Sequence, residues 1–336
     1  MRIGSIELDR KVLVVAEIGN NHEGNIGVAR DLVRKAAECG ADAVKFQTFR
    51  TKYFVSAADS ARYERLARFE LSYPQFEELC QLAKSLGLLF ISTPLDLESA
   101  AFLNTLVDCF KIASGDNNFY PLIERVCRTG KPIIMSCGLS DLAQIAMSVR
   151  FIQERWQTFG LCQDLAVLHC VTSYPVPPDQ ANVAAVRRLA EALPCTVGYS
   201  DHTIGLHACL AAVALGARIL EKHFTLDTRF SDFRDHQLSA DPPEMAELVR
   251  RVREVSLLLG TGEKVPQKNE LEVEPLVRRS IVAGRDLPTG HRLRFEDLTW
   301  IRPGRGLPPG DEPKVIGRRL RRALAFGEPI QIADLE

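Results

Sequence analysis

Along the first 260 residues, short apolar runs alternate with longer amphipathic stretches. The runs are VLVVAEIG (12–19), AVKFQTF (43–49), LLFISTP (88–94), CFKIAS (109–114), PIIMSCG (132–138), LAVLHCV (165–171), TVGYS (196–200) and RILEKHFT (218–225). Their length and apolar density predict strands, and the stretches 26–39, 74–86, 120–129, 140–157, 206–215 and 242–260 predict helices. Ser140-Asp141 and Asp241-Pro242-Pro243 read as helix starts. Alternation of this kind implies an α/β fold with a parallel sheet. Eight units over about 250 residues fit a (β/α)₈ TIM barrel. The rival, an open doubly wound sheet, would carry a G-x-G-x-x-G turn after its first strand. The turn here is EIGNNHEGN, without that spacing.

After Gly260 the pattern changes. Residues 261–277 are polar, charged and without an apolar period, and they predict a linker between the barrel (1–260) and a small module (278–336). In that module RSIVAG, LTWIRPG and KVIG read as short strands punctuated by glycine and proline. So small a module gains stability by docking on something larger.

Composition narrows the function. Lys+Arg 42 against Asp+Glu 43 leaves a formal charge of −1, which argues against bulk binding to nucleic acid or a membrane surface. No apolar run has the length of a membrane span. Charged residues interrupt the N-terminal segment before any signal-peptide core could form. The nine cysteines form no Cys-x-x-Cys pair, so a reducing, cytoplasmic setting is expected.

The chemistry lies where the strands end. They close on Glu17, Lys45 and Gln47, Ser92-Thr93, Lys111 and Ser114, Ser136, His169 to Thr172-Ser173-Tyr174, Ser200-Asp201-His202, and Glu221 with His223. Barrel active sites are built at the carboxyl ends of the strands, so this rim predicts a large site. Period-two alternation puts Lys45 with Gln47 on one face, and Glu221, His223 and Thr225 on another. Lys45 and Lys111, with Thr93, Ser114, Ser136 and Ser200 nearby, suit a phosphate-bearing anion. A purely structural role, with both lysines closing salt bridges to Glu17 and Glu221, stays open. His202 and His223 follow adjacent strands about 4.8 Å apart, within reach of one divalent cation; two packed imidazoles remain the alternative. Cys137 and Cys170 lack an activating neighbour in sequence and read as inert buried thiols.

Seven segments in order, AEIGNNHEGN (16–25), GADAVKFQTF (40–49), ISTP (91–94), FKIASGD (110–116), LHCVTSYPVP (168–177), GYSDHTIG (198–205) and EKHFT (221–225), resemble the bacterial sialic acid synthase family. RRSIVAGRDLPTG and LTWIRPGRG (within 278–306) resemble that family's C-terminal antifreeze-like (SAF) domain. The resemblance implies a metal-dependent synthase that condenses phosphoenolpyruvate with an N-acetylated amino-sugar aldehyde. The acceptor would be N-acetylmannosamine or a 2,4-diacetamido-trideoxyhexose, and the product a sialic-, legionaminic- or pseudaminic-type acid. It implies His202 and His223 as ligands of manganese, with magnesium or cobalt as substitutes. Lys45, Thr93, Lys111, Ser114, Ser136, Thr172 and Ser200 would hold phosphoenolpyruvate. Glu17 would stand at the reacting centre, and Gln47, Tyr174, Asp235 and Arg302 around the sugar. It further implies a domain-swapped homodimer in which Arg302 reaches the partner's barrel. Phe46, Cys137, Thr172 and Arg305 depart from the family's usual residues, and 50–73 reads as a variable wall around the sugar.

Two other classes stay in view. A Schiff-base lyase would use Lys111 or Lys222 as nucleophile, but Lys222 alternates away from His223 and Lys111 sits among hydroxyls. A carbohydrate-binding protein without catalysis would have no need of both histidines and both lysines.

Overall fold

Alternation along each strand decides what fills the centre of the molecule. In a computed structural model covering all 336 residues, eight parallel strands close into a barrel in sequence order. They are β1 (Leu13–Gly19), β2 (Ala43–Thr48), β3 (Leu89–Pro94), β4 (Phe110–Ile112), β5 (Ile133–Ser136), β6 (Leu165–Cys170), β7 (Thr196–Asp201) and β8 (Ile219–His223). Closure pairs β8 with β1, placing His223 beside Glu17. All eight expected strands are present, and the six expected helices lie within two residues of their predicted bounds. The shortest barrel strand is β4, where the chain leaves the sheet after Ile112 and turns through a 3₁₀ segment at Ser114–Asp116.

Odd and even positions serve different cores. On β1, Val14, Ala16 and Ile18 pack outward against the helices, while Leu13 and Val15 pack inside the barrel. The bore is tight: a Cβ on Gly198 would lie 2.5 Å from both Leu168 Cδ2 and the Ile219 carbonyl oxygen, so only glycine fits there. A hairpin at the N-terminus, Arg2–Ile3 against Ile6–Glu7, went unpredicted. It sends fully buried Ile3 and Leu8 into the same interior cluster, where they close the amino end of the barrel.

The helices begin where capping chemistry allows. Asn25 accepts from the Gly27 and Val28 amides to start Ile26–Glu38. Asp141 and Gln144 form a capping box for Leu142–Thr158, and Asp241 caps Pro242–Leu259. Away from the mouth, Asp42 ties the barrel to that last helix. Its carboxylate accepts from the Val14 amide at 2.8 Å and pairs with Arg253 at 2.6 Å and Lys11 at 2.5 Å.

The chain divides into two compact units, Met1–Gly260 and Thr261–Glu336. In the second, β9 (Ser280–Ala283) and β10 (Leu298–Ile301) pair antiparallel over a separate core containing Ile281, Leu293, Leu298 and Leu320. One expectation needs correction. KVIG is no strand, because a 3₁₀ turn at Glu312–Lys314 takes up its start. The segment expected as a linker holds a ten-residue helix, Lys268–Val277, capped by Gln267 and Glu270. None of its residues is buried, so no apolar stripe announced it. No helix is long and apolar enough to cross a membrane.

Candidate active site

The interior stripe of most strands turns from apolar to polar on reaching the carboxyl end. Leu13 and Val15 lead to Glu17, Ala43 to Lys45, Ile91 to Thr93, Cys109 to Lys111, Ile134 to Ser136 and Ile219 to Glu221. Lys45 and Lys111 are 4% and 2% exposed, and Glu17 and Glu221 are 2% and 5% exposed. Charges this deep must find partners, and they find one another. Lys45 Nζ lies 3.2 Å from Glu17 Oε2 and 3.2 Å from Glu221 Oε1. Lys111 Nζ lies 3.5 Å from Glu221 Oε2. The hydroxyls join in: Lys111 donates to Ser136 at 2.7 Å, Lys45 to Thr93 at 3.3 Å, and Ser200 to Glu221 at 2.9 Å. The salt bridges foreseen as a structural alternative are therefore real, and Glu221 is their hub.

The two carboxylates are not equivalent. Burial pushes Glu17 up to about 7, against the pull of Lys45 and with the push of Glu221. Burial works upward on Glu221 too, but Lys111 and Lys45 hold it at about 2. At neutral pH Glu221 is thus a firm carboxylate and Glu17 a carboxyl near its midpoint, both facing the Lys45 and Lys111 amines. The cluster is poised to accept an anion and to exchange a proton. Glu17 Oε2 is also buried without a hydrogen bond of good geometry, although it stands within ion-pair distance of Lys45.

A second group of hydroxyls gathers around Gly138. Its amide donates to Ser114 Oγ at 3.0 Å, and a Cβ there would lie 2.3 Å from Thr172 Oγ1 and 2.8 Å from Ser114 Oγ. The missing side chain lets Ser114 and Thr172 converge. Gln47 faces the mouth and accepts from Asn20 Nδ2 at 2.9 Å.

His202 and His223 stand side by side, with ring centroids 5.3 Å apart. His202 Nδ1 lies 2.8 Å from the Val171 carbonyl oxygen, which assigns the proton to Nδ1 and leaves Nε2 with a free lone pair. His223 Nδ1 is buried without a partner, and burial, His202 and Lys45 hold the ring well below ordinary imidazole basicity. A neutral ring with an uncommitted nitrogen is the form that binds a metal, and His223 has it. Burial draws His202 down, but Cys170 and the Val171 carbonyl raise it above its ordinary value. No cluster of three or more His, Cys, Asp or Glu side chains gathers here. A divalent cation would therefore take two protein ligands and fill its shell with water and substrate oxygens. Tyr174 stacks on His202 at 4.2 Å and meets His223 edge-on at 5.9 Å. The Arg234 guanidinium lies 4.7 Å above the Tyr174 ring, and Arg234 also reaches Asp235 at 3.4 Å.

Other sequence candidates fall elsewhere. Thr225 turns from the mouth to bind His236, whose far nitrogen meets Glu23 at 3.0 Å. His169 is buried outside the bore, bonded to the Ala181 carbonyl. Lys222 points out of the bore, as its alternation implied, and is fully engaged by Asp201 at 2.8 Å and the Thr203 carbonyl. Cys137 is held up at about 12 by burial. Cys170, expected without a neighbour, lies 3.8 Å from His202 Nδ1. Arg302 is exposed on the second unit.

Comparison with known proteins identifies the family. A model described as the NeuB family matches residues 32–264, and one described as the SAF domain matches 278–336. The chain belongs to the NeuB family. Among its relatives, an uncharacterized protein of Methanocaldococcus jannaschii is 44% identical over 96% of this chain and 94% of that protein. N,N'-diacetyllegionaminic acid synthase of Legionella pneumophila is 38% identical over 96% of this chain and 94% of that protein. The N-acetylneuraminic acid synthetase structure from Leptospira borgpetersenii, solved with citrate, superposes with a TM-score of 0.76 at 31% identity, covering 81% of this chain and 94% of that one. The family resemblance read from the seven segments and the tail is thus borne out, as are the barrel and the SAF domain.

Proposed function

We propose that this NeuB-family chain condenses phosphoenolpyruvate with an N-acetylated amino-sugar aldehyde and water, giving a 3-deoxy-2-keto nonulosonic acid and phosphate. The observation that carries this reading is the buried cluster of Lys45, Lys111, Glu17 and Glu221 at the barrel mouth, ringed by Thr93, Ser136 and Ser200. Relatives named as legionaminic, pseudaminic and N-acetylneuraminate-9-phosphate synthases support the same class of reaction. In this reading Lys45 and Lys111 hold the anionic groups of phosphoenolpyruvate, with Thr93, Ser136 and Ser200 as directed donors. Ser114 and Thr172 at Gly138 add a cradle that a larger residue would fill.

The methylene carbon of phosphoenolpyruvate attacks the aldehyde carbon. Positive charge develops at the adjacent enol carbon, and water adds there as Glu17 takes its proton. The resulting tetrahedral centre loses phosphate by carbon–oxygen cleavage, while both lysines offset the growing charge. A divalent cation on His202 and His223, manganese in our reading and magnesium or cobalt as substitutes, would supply Lewis-acid polarisation of the aldehyde oxygen. Gln47, Tyr174 and Asp235 orient the sugar.

We also infer a homodimer. Leu257 and Leu258 are 83% and 79% exposed, and Leu271 and Leu276 on the helix Lys268–Val277 are 53% and 58% exposed. Apolar side chains displayed in this way suit coverage by a second copy, and Arg302 would then serve the partner's mouth. The nine free cysteines suit a reducing, cytoplasmic compartment.

The deciding test is phosphate release from phosphoenolpyruvate with manganese across a panel of amino-sugar aldehydes, with a chelator control. Chelator-sensitive release that depends on one aldehyde is the expected result. No release with any aldehyde, from folded protein, refutes the reading.

A further inference from the structure

On the outside of the barrel one ion pair breaks an apolar pattern. The outward stripe of β7 runs Val197, Tyr199 and then Asp201, and that of β8 runs Leu220, Lys222 and on to Phe224. Asp201 is fully buried and Lys222 is 1% exposed, on the side of the helices rather than in the mouth. A buried ion pair adds little net stability over apolar residues of the same volume. What it supplies is direction, because each hydrogen bond fixes the place of a particular atom.

The pair is built as a clamp. Lys222 Nζ donates to Asp201 Oδ2 at 2.8 Å and also to the Thr203 carbonyl oxygen. Asp201 Oδ1 accepts from the Thr203 amide at 2.9 Å and from the Tyr199 hydroxyl at 3.0 Å. Cys209, on the helix His207–Ala214, donates to Asp201 Oδ2 at 3.4 Å. Both polar backbone groups of Thr203 are thus held, and His202 is the residue enclosed between Asp201 and Thr203. At the other end, Lys222 directly precedes His223 and stands opposite Asp201 in the sheet register. One ion pair therefore joins the chain neighbours of both histidines. Successive side chains on a strand point to opposite faces, so the clamp lies outside the bore.

The histidines differ in what else aims them. A metal-ligating imidazole is ordinarily oriented by a hydrogen bond to its other nitrogen. His202 has such a bond, to the Val171 carbonyl at 2.8 Å. His223 has none, and its Nδ1 is buried without a partner. Its place, 5.3 Å from the His202 ring, depends on where the backbone at Lys222 puts it. We propose that the Lys222–Asp201 pair is a positioning device that sets the separation of His202 and His223 and, through it, the affinity of the mouth for a divalent cation. Neither side chain touches the cation or the substrate. The proposal rests on the reading of the two histidines as metal ligands, and H223A separates the failure of that reading from the failure of this one.

The test is titration of metal-stripped protein with manganese, followed by the electron paramagnetic resonance signal of the free ion and by calorimetry. K222M alone strands a buried carboxylate, so the neutral double variant D201N/K222M carries the test. The amide side chain it leaves at 201 can still accept from Thr203 and Tyr199, and only the tie between the strands is lost. Its manganese affinity should fall about 10- to 100-fold, the range for residues that support a metal ligand from behind. K222R, which keeps the charge opposite Asp201, should lie between the double variant and the wild type. Affinity for phosphoenolpyruvate without metal depends on Lys45 and Lys111 and should not change. Wild-type manganese affinity in the folded double variant, with uptake lost in H223A, overturns the proposal and leaves the metal reading standing. Equal weakening of manganese and phosphoenolpyruvate assigns the pair to barrel stability and overturns it as well. Wild-type protein that takes up no manganese removes the metal reading and the proposal with it.

Discussion

Replacing Glu221 by Gln removes the charge on which both buried lysines converge while preserving shape. Lys111 has Glu221 as its one carboxylate partner, at 3.5 Å, whereas Lys45 keeps Glu17 at 3.2 Å. Breaking a buried ion pair from one side costs about 3–5 kcal/mol. An escape sets the ceiling: Lys111 can shed its proton, which from an ordinary lysine value to pH 7.5 takes about three pKa units, or roughly 4 kcal/mol. Burial already draws Lys111 downward, so the lower end, about 3 kcal/mol, is expected. For a unit of this size, that lowers the melting temperature by about 6–10 °C. Glu17 supplies a second readout. Part of its elevation comes from the charge of Glu221, so E221Q should also move the acid limb of the turnover profile to lower pH. Thermal melts and a pH series of phosphate release measure both effects. A melting shift under about 2 °C with an unmoved limb would refute the account of Glu221 as the hub.

Further outcomes follow from the same geometry. Glu17 stands at about 7 against an ordinary 4.5; between those values the folded chain keeps a proton that the unfolded chain has released, so this group lowers stability as pH rises. Glu221 acts oppositely: its contribution is full above 4.5 and is lost as pH falls toward 2. E17Q should therefore flatten the decline in melting temperature between pH 5 and pH 8, and parallel curves for variant and wild type would contradict this. Because His223 offers an uncommitted buried nitrogen, H223A should abolish the melting-temperature rise produced by manganese as well as chelator-sensitive turnover; a rise equal to that of the wild type would exclude His223 as a ligand. L258E or L276E should shift sedimentation from dimer toward monomer, and mixing inactive H223A with inactive R302A should restore activity only if Arg302 works in its partner's mouth.

What the chain disclosed before folding, and what it withheld, divides along one physical line. Alternation is local, so it was legible: Lys45 with Gln47, and Glu221 with His223, share faces because side chains on a strand repeat every second residue. Strand ends were legible for the same reason, and with them the ring of polar groups from Glu17 to His223. Closure of the barrel is not local. That Glu221 would bind both Lys45 and Lys111 depends on the register of β8 against β1 and β7, and on the depth of each side chain in the bore. On the sequence alone Glu221 therefore reads only as a possible salt-bridge partner, without a site role of its own. The same limit hid the contact of Cys170 with His202, which come from neighbouring strands. The N-terminal hairpin escaped because a two-residue strand has no period to detect, and the helix Lys268–Val277 because it has no core of its own to face. Arg62, Arg65 and Arg68 were visible only as charges in a variable segment. On a sequence, an unpaired arginine cannot be told from a solvated one. Fixing the helix Ser60–Phe69 through Leu66 and Phe69 is what brings its guanidiniums to a cavity shared with His223.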